Sequence, residues 1–283
     1  MSHQHKKQFG QNFLNNQAVV DRIVKAIAPR ADDHLVEIGP GEAALTGPLL
    51  DRVERLDIIE IDRDLIPRLT QAFGQHPAFH LHSADALRFD YAGLVKNDAP
   101  SPSLRVVGNL PYNISSPLLF HLMTFESAII DMHFMLQKEV VERICARPGS
   151  KTFGRLSVMM QYACETEHLF DVGPANFTPP PKVNSAIVRL KPRRTRSLSA
   201  EDPALLSKVV KQAFAQKRKT LRNNLKPLMN AAALSELGID PSMRAEQLDV
   251  EAFVRISNRL AASGQDGAKQ PNTQNANQTN ENQ

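Results

Sequence analysis

Between residues 35 and 137, short apolar runs alternate with longer mixed segments, and this spacing admits few architectures. Such runs read as strands buried on both faces, and the stretches between them are long enough for crossover helices, so an α/β fold with a parallel sheet is expected. Five strands are read at residues 35–38, 56–61, 79–82, 104–107 and 132–136, with helices beginning near Ala43, Asp64, Ser116 and Lys138. Residues 154–163 read as a further helix, and residues 185–190 (SAIVRL) as a late strand on the same sheet.

A chain of 283 residues, 42% of them apolar, supports one full-sized α/β core and a smaller companion. Residues 1–191 are assigned to the sheet domain, with residues 1–17 as an amino-terminal motif segment. The Pro-, Arg- and Ser-rich stretch PRRTRSLSAEDP (192–203) reads as a linker, and residues 204–262 have helical spacing without a convincing strand. Residues 263–283 carry almost no apolar side chains to offset their ordering entropy and are expected to be disordered. No run of eighteen apolar residues and no apolar stretch after the polar start suggests a membrane span or secretory signal, so the cytosol is the expected location. Cys145 and Cys164 read as free thiols, the histidines as structural or surface residues; no metal is expected, and a monomer is.

The net charge of +4 conceals an asymmetry. From Arg189 to Lys226 twelve Lys or Arg face only Glu201 and Asp202, a local charge of +10 that leaves −6 for the remainder. A concentrated positive field of this kind suits a polyanionic partner better than solvated lysines alone would require.

The segment VEIGPGEAA places Gly39 and Gly41 at the turn leaving the first predicted strand, where the lack of Cβ atoms lets a ligand approach the backbone. With Ala44 it also satisfies G-x-G-x-x-A, so by itself it fits a nicotinamide-dependent dehydrogenase as well as a methyltransferase. Glu60 follows Gly39 by twenty-one residues, at the end of the second predicted strand, where a carboxylate accepts from both hydroxyls of a ribose; pairing with Arg63 is the plainer reading, and Asp62 a competitor for the role. Asp85, beside Ala86, falls after the third strand, as an acceptor for an adenine amine or as a helix N-cap.

After the fourth strand comes Gly108-Asn109-Leu110-Pro111-Tyr112-Asn113-Ile114-Ser115, which resembles the Asn/Asp-Pro-Pro-Tyr loop of amino-group methyltransferases. An adenine N6 amine shares its lone pair with the ring and is a poor nucleophile until two acceptors hold its hydrogens pyramidal. The Asn109 oxygen and the Leu110 carbonyl are suited to that role, Pro111 stiffens the loop, and Tyr112 stacks on a flipped base. An ordinary Asn-Pro turn is the alternative for four residues alone, but glycine turn, ribose acid, adenine acid and amine clamp fall in order at four successive strand ends.

Together KKQFGQNFL, VEIGPGEAALT, IEIDRDL, NLPYNIS, DMHFMLQKEVVERI, GRLSVMMQY and FTPPPKVNSAIVRL resemble the small-subunit ribosomal RNA adenine N6-dimethyltransferases of the KsgA (RsmA) type, from Lys6 to about Leu260. The resemblance implies a class I, Rossmann-like methyltransferase domain with a helical carboxyl-terminal domain. It also implies S-adenosyl-L-methionine as cofactor and dimethylation of two neighbouring adenosines near the 3′ end of 16S RNA in the immature 30S subunit. Carried over, Asn12, Leu14, Gly39, Gly41, Glu60, Asp85, Ala86 and Asn109 hold the cofactor, Gln11 and Ile61 line the same pocket, and Phe177 packs on the target base opposite Tyr112, with a core aromatic as the alternative for Phe177. Ala43 departs from the G-x-G-x-G form, a change expected to be a small perturbation because its methyl would face the helix.

On one helix over residues 207–226, Lys208, Lys211, Arg218, Lys219, Arg222 and Lys226 share a face of about 100° while Lys217 falls on the apolar side. Such a stripe, with Arg193, Arg194 and Arg196 nearby, predicts a nucleic-acid footprint; a solvated charged helix is the alternative. Competing functions are a large-subunit RNA methylase, a nicotinamide oxidoreductase, and a ribosome-assembly binding factor in which methylation is secondary.

Overall fold

The structure, a computed structural model, describes residues 12–95 and 102–267. It divides into two compact units between Thr195 and Arg196.

The first unit runs β1 (Phe13–Leu14), α1 (Gln17–Ile27), β2 (His34–Ile38), α2 (Thr46–Leu50), β3 (Arg55–Glu60), α3 (Ile66–Phe73), β4 (Phe79–Ser83), β5 (Leu104–Asn109), α4 (Ser115–Met123), β6 (Ile129–Gln137), α5 (Lys138–Ile144), α6 (Arg155–Ala163), β7 (Cys164–Val172), β8 (Phe177–Thr178) and β9 (Ser185–Pro192). Seven strands among the described residues form one sheet in the order β4-β3-β2-β5-β6-β9-β7. The first five are mutually parallel, and β9 joins both β6 and β7 antiparallel. Consecutive residues of a central strand point to opposite faces, and both faces are packed: Val36, Val106 and Phe134 enter one apolar cluster, Leu35, Val107 and Met135 the other. That two-sided burial makes these strands unbroken apolar runs, each fully buried aliphatic side chain contributing about 1.5–3 kcal/mol.

The chain order reverses direction between β2 and β5, because β3 and β4 lie on one side of β2 and β6 lies beyond β5. In doubly wound sheets a crevice opens at such a switch point, outside the carboxyl ends of the strands. At the opposite end of β5, Arg105 is 9% exposed and ties the layers together. Its guanidinium donates to Asp33 at 2.6 Å, to Asp131 at 2.9 and 3.0 Å and to the Ile27 carbonyl at 2.6 Å, clamping the end of α1 to β5 and β6.

All five expected strands and the late strand form, with ends shifted by no more than three residues. Three strands were not foreseen. β7 (CETEHLFDV) has an irregular burial pattern, and β1 and β8 are two-residue strands paired with each other. The expected helix at Ala43 begins instead at Thr46, because residues 41–45 form a turn in which Ala43 has φ +67°. The methyl of Ala43 therefore does not simply face a helix: it sits in left-handed backbone that glycine tolerates better.

The unit boundary, between Thr195 and Arg196, falls inside the expected linker at residues 192–203. The Arg193 N–H donates to the Ala163 carbonyl at 2.8 Å and its Nε to the Gln161 carbonyl at 3.1 Å, while Arg194 grips the carbonyls of Glu126 and Ile129. These two arginines, read from sequence as part of a basic footprint, are thus tied to main-chain carbonyls of the first unit.

The second unit contains α7 (Pro203–Ala213), α8 (Leu221–Asn224), α9 (Ala231–Glu236) and α10 (Val250–Gly267). Asp202 caps α7 by accepting from the N–H groups of Ala204 and Leu205, and Phe214 stacks on Phe253 at 5.7 Å. The expected single helix over residues 207–226 is not formed. Buried Asn224 donates to the carbonyls of Ala213 at 2.7 Å and Gln216 at 3.1 Å, taking acceptors that a continuing helix would use, so the chain turns before α8. α10 passes the expected domain end at residue 262, and the rest of the tail expected to be disordered lies outside the described residues.

Candidate active site

A cavity of about 340 Å³ opens over the carboxyl ends of β2, β3, β4 and β5 and is closed on another side by residues 12–14. Of the residues singled out in the sequence, Asn12, Leu14, Gly39, Gly41, Glu60, Ile61, Asp85, Ala86, Asn109, Leu110, Pro111 and Tyr112 all line it. Gln11 lies outside the described residues.

Gly39 and Gly41 have φ of +63° and +59°, which L side chains rarely adopt. A Cβ on Gly41 would come within 2.9 Å of the Phe13 ring, whereas one on Gly39 would meet no protein atom within 4 Å. The turn thus leaves room for a ligand at Gly39 and packs against the amino-terminal segment at Gly41. Glu60, 6% exposed, accepts the Asp62 N–H at 2.7 Å. Burial pushes its pKa up, while the N–H groups of Asp62, Ile61 and Gly41 favour the charged form. Asp62 does not line the cavity; its carboxylate accepts from the Asp64 N–H. Asp85 divides its oxygens: Oδ1 accepts the Leu87 N–H at 2.9 Å, and Oδ2 lies 3.9 Å from exposed Arg88. The N-cap alternative does not hold, since a turn and no helix follows. Ile61 is 49% exposed, an apolar surface on the cavity wall.

Glu37 was not singled out in the sequence, although a lone acid within the apolar run LVEI was a signal. It is 2% exposed, lines the cavity and accepts the Thr46 hydroxyl at 2.8 Å. Burial raises its pKa to about 7, opposed by the Thr46 bond and reinforced by neighbouring Glu60. Glu37, Glu42, Glu60 and Asp85 all line the cavity, and no Lys or Arg does among the described residues. Such walls attract a cation, so the residues fit a sulfonium-bearing nucleoside.

The loop from Asn109 to Tyr112 is held from several directions. The Asn109 amide nitrogen donates to the Asn12 carbonyl at 3.2 Å, which leaves Oδ1 to accept. The Leu110 N–H donates to the Met135 carbonyl at 3.1 Å, and Ser115 Oγ to the Tyr112 carbonyl at 3.0 Å. Residues 12–16 are in turn fixed to residues 176–178: β1 pairs with β8, and Asn15 Nδ2 donates to Thr178 Oγ1 at 2.6 Å. Phe177 is not brought to the cavity. It is 3% exposed and packs with Leu14, Val172 and Ile187, which is the core alternative, because its pairing with Leu14 turns the ring into that cluster.

Lys208 and Lys211 are exposed on α7, Arg218 and Lys219 in the following turn, Arg222 on α8 and Lys226 after it. Lys217, placed on the apolar side of the expected helix, is exposed because that helix has already ended.

The model of the family described as ribosomal RNA adenine dimethylase matches residues 2–262. A relative from Hydrogenovibrio crunogenus named ribosomal RNA small subunit methyltransferase A is 66% identical over 256 residues, covering 90% of this chain and 96% of the relative. Among solved structures, a dimethyladenosine transferase from Plasmodium falciparum shares the fold with a TM-score of 0.77 at 24% identity, covering 89% of this chain and 98% of that one. The 23S rRNA methyltransferase ErmE aligns with a TM-score of 0.68 at 27% identity, covering 88% of this chain and 100% of that one. With an acid-lined cavity bordered by residues 109–112 and a family match spanning nearly the whole length, this chain belongs to the ribosomal RNA adenine dimethylase family.

Proposed function

We propose that this adenine dimethylase uses S-adenosyl-L-methionine to dimethylate N6 of two neighbouring adenosines near the 3′ end of 16S RNA in the immature small subunit. The observation that carries the reading is a cavity walled by four carboxylates, with no cationic side chain among its described lining, and bounded by Asn109 to Tyr112. When bound, the cofactor supplies a methyl group already activated on a cationic sulfur. Glu60 would take the ribose hydroxyls, Asp85 the adenine amine and Ile61 one face of the adenine ring.

The chain's remaining work is alignment. Asn109 Oδ1 and the Leu110 carbonyl would accept the two amine hydrogens, so that the nitrogen lone pair points along the line of displacement. Tyr112 would stack on the base after it leaves the RNA helix. No strong base is required, because the nitrogen becomes acidic as the new N–C bond forms and its proton passes to water. The exposed cations from Lys208 to Lys226 would engage phosphates without reading sequence. The small-subunit substrate is favoured over a large-subunit one by the far greater identity to the small-subunit relative than to ErmE.

The test supplies purified protein with labelled cofactor and undermethylated small subunits, then analyses the RNA nucleosides by mass spectrometry. Dimethyladenosine is expected with wild type and none with Asn109→Ala. Label found only in protein would sink the reading. A second reading, as a subunit-binding assembly factor, draws on the exposed basic surface of the second unit. It predicts that Asn109→Ala still binds subunits and supports their maturation.

A further inference from the structure

Tyr112 borders the cavity, and its hydroxyl meets Ser185 Oγ at 2.9 Å. Ser185 is fully buried and opens β9, where it pairs with Gln137 of β6 on one side and with Val172 of β7 on the other. Its hydroxyl is therefore presented by backbone held from both flanks. At the near end of the same residue, the Tyr112 carbonyl accepts from Ser115, itself buried at the start of α4. A tyrosine has two soft side-chain torsions, and a hydrogen bond at the far end of the ring removes most of the freedom that remains.

Stacking uses only the π face, so a phenylalanine would stack as well; the hydroxyl adds orientation. We propose that Ser185 is a positioning residue for methyl transfer, fixing the Tyr112 ring so that its face meets the target base while Asn109 and Leu110 hold the amine. The inference rests on the function proposed above. Ser185 lies outside the cavity lining, so its effect should fall on turnover and not on cofactor affinity.

Ser185→Ala, Tyr112→Phe, the double variant and the hydroxyl-retaining Ser185→Thr would be assayed on undermethylated small subunits, with cofactor affinity by calorimetry and thermal midpoints alongside. Each single variant is expected to lower kcat about tenfold with cofactor Kd unchanged. The double variant should be no slower than either single, and Ser185→Thr should restore turnover. Full kcat in Ser185→Ala, multiplied losses in the double variant, or a loss that tracks cofactor affinity would each overturn the inference. Should Ser185→Ala fail to fold, Tyr112→Phe decides alone, its unchanged kcat counting against the proposal. Absence of RNA methylation by wild type would overturn the functional reading and this inference together, whereas an active wild type with an unaffected Ser185→Ala overturns only the inference.

Discussion

The side-chain amide of Asn109 donates to the main-chain carbonyl of Asn12, 97 residues earlier, at 3.2 Å. A primary amide held by its nitrogen turns its oxygen the other way, toward the position that the proposed function gives to the incoming amine. The orientation of the Asn109 side chain is thus set by the amino-terminal segment and not by the loop alone. Asn109→Asp, which keeps the size but cannot donate to Asn12, is expected to lower kcat by about a hundredfold or more while leaving cofactor Kd within a few-fold. Single-turnover methylation with calorimetry separates the two quantities.

Glu60 should matter in the opposite sense. Its replacement by Ala would remove the acceptor that the proposed function assigns to the ribose hydroxyls, and cofactor affinity is expected to fall about ten- to hundredfold. Isothermal titration in the absence of RNA measures it directly, and an unchanged Kd would remove Glu60 from the cofactor site.

Glu37 makes a pH-dependent prediction. Its pKa in the folded protein, about 7, lies above the ordinary value of 4.5, so the folded state binds the proton more tightly than the unfolded one. The stability gained from this is complete below pH 4.5 and is lost as pH rises through 7. Glu37→Gln stays neutral and should be more stable than wild type at pH 8 without cofactor, by up to about 3 kcal/mol, with the difference vanishing near pH 4. Urea midpoints at the two pH values decide it.

Lys217, Arg218 and Lys219 lie in the turn between α7 and α8, where replacing them with Ala disturbs no helix interior. The triple variant should bind small-subunit RNA more weakly and reduce the slope of log affinity against log salt by about 2 to 3, as expected for that many lost phosphate contacts. Filter binding at several salt concentrations reads the slope, and an unaltered one would place the RNA elsewhere.

Ala43, at φ +67°, bears a left-handed conformation with a Cβ. Ala43→Gly is expected to relieve about 1 kcal/mol of strain, partly offset by the greater freedom of glycine in the unfolded chain. The thermal midpoint should hold or rise, and a clear fall would show that the methyl packs favourably.

The sheet and most of its cavity were legible because both rest on local signals. Strands buried on both faces write themselves as apolar runs, and a ligand site at strand ends follows from the strand order; thus Gly39, Glu60, Asp85 and Asn109 could be placed together before any coordinates. What escaped depends on partners distant in the chain. β1 exists only through its pairing with β8, more than 160 residues away, and that same pairing carries Phe177 into the core. Residues 207–226 have a helical pattern, yet the side chain of Asn224 ends the helix by competing for its carbonyls, which no periodicity records.

The parallel register of β2 with β5 has a further consequence. Glu37 lies opposite Val107, so two residues on, Gly39 and Asn109 stand level at adjacent strand tips. The sheet then serves as a ruler whose unit is the interstrand spacing of about 4.8 Å. Substitutions in the surrounding helices can weaken what is held at either tip, but they cannot change the reach between them. A slip of one residue in that register would turn Asn109 to the opposite face and leave the two halves of the reaction on different sides of the protein.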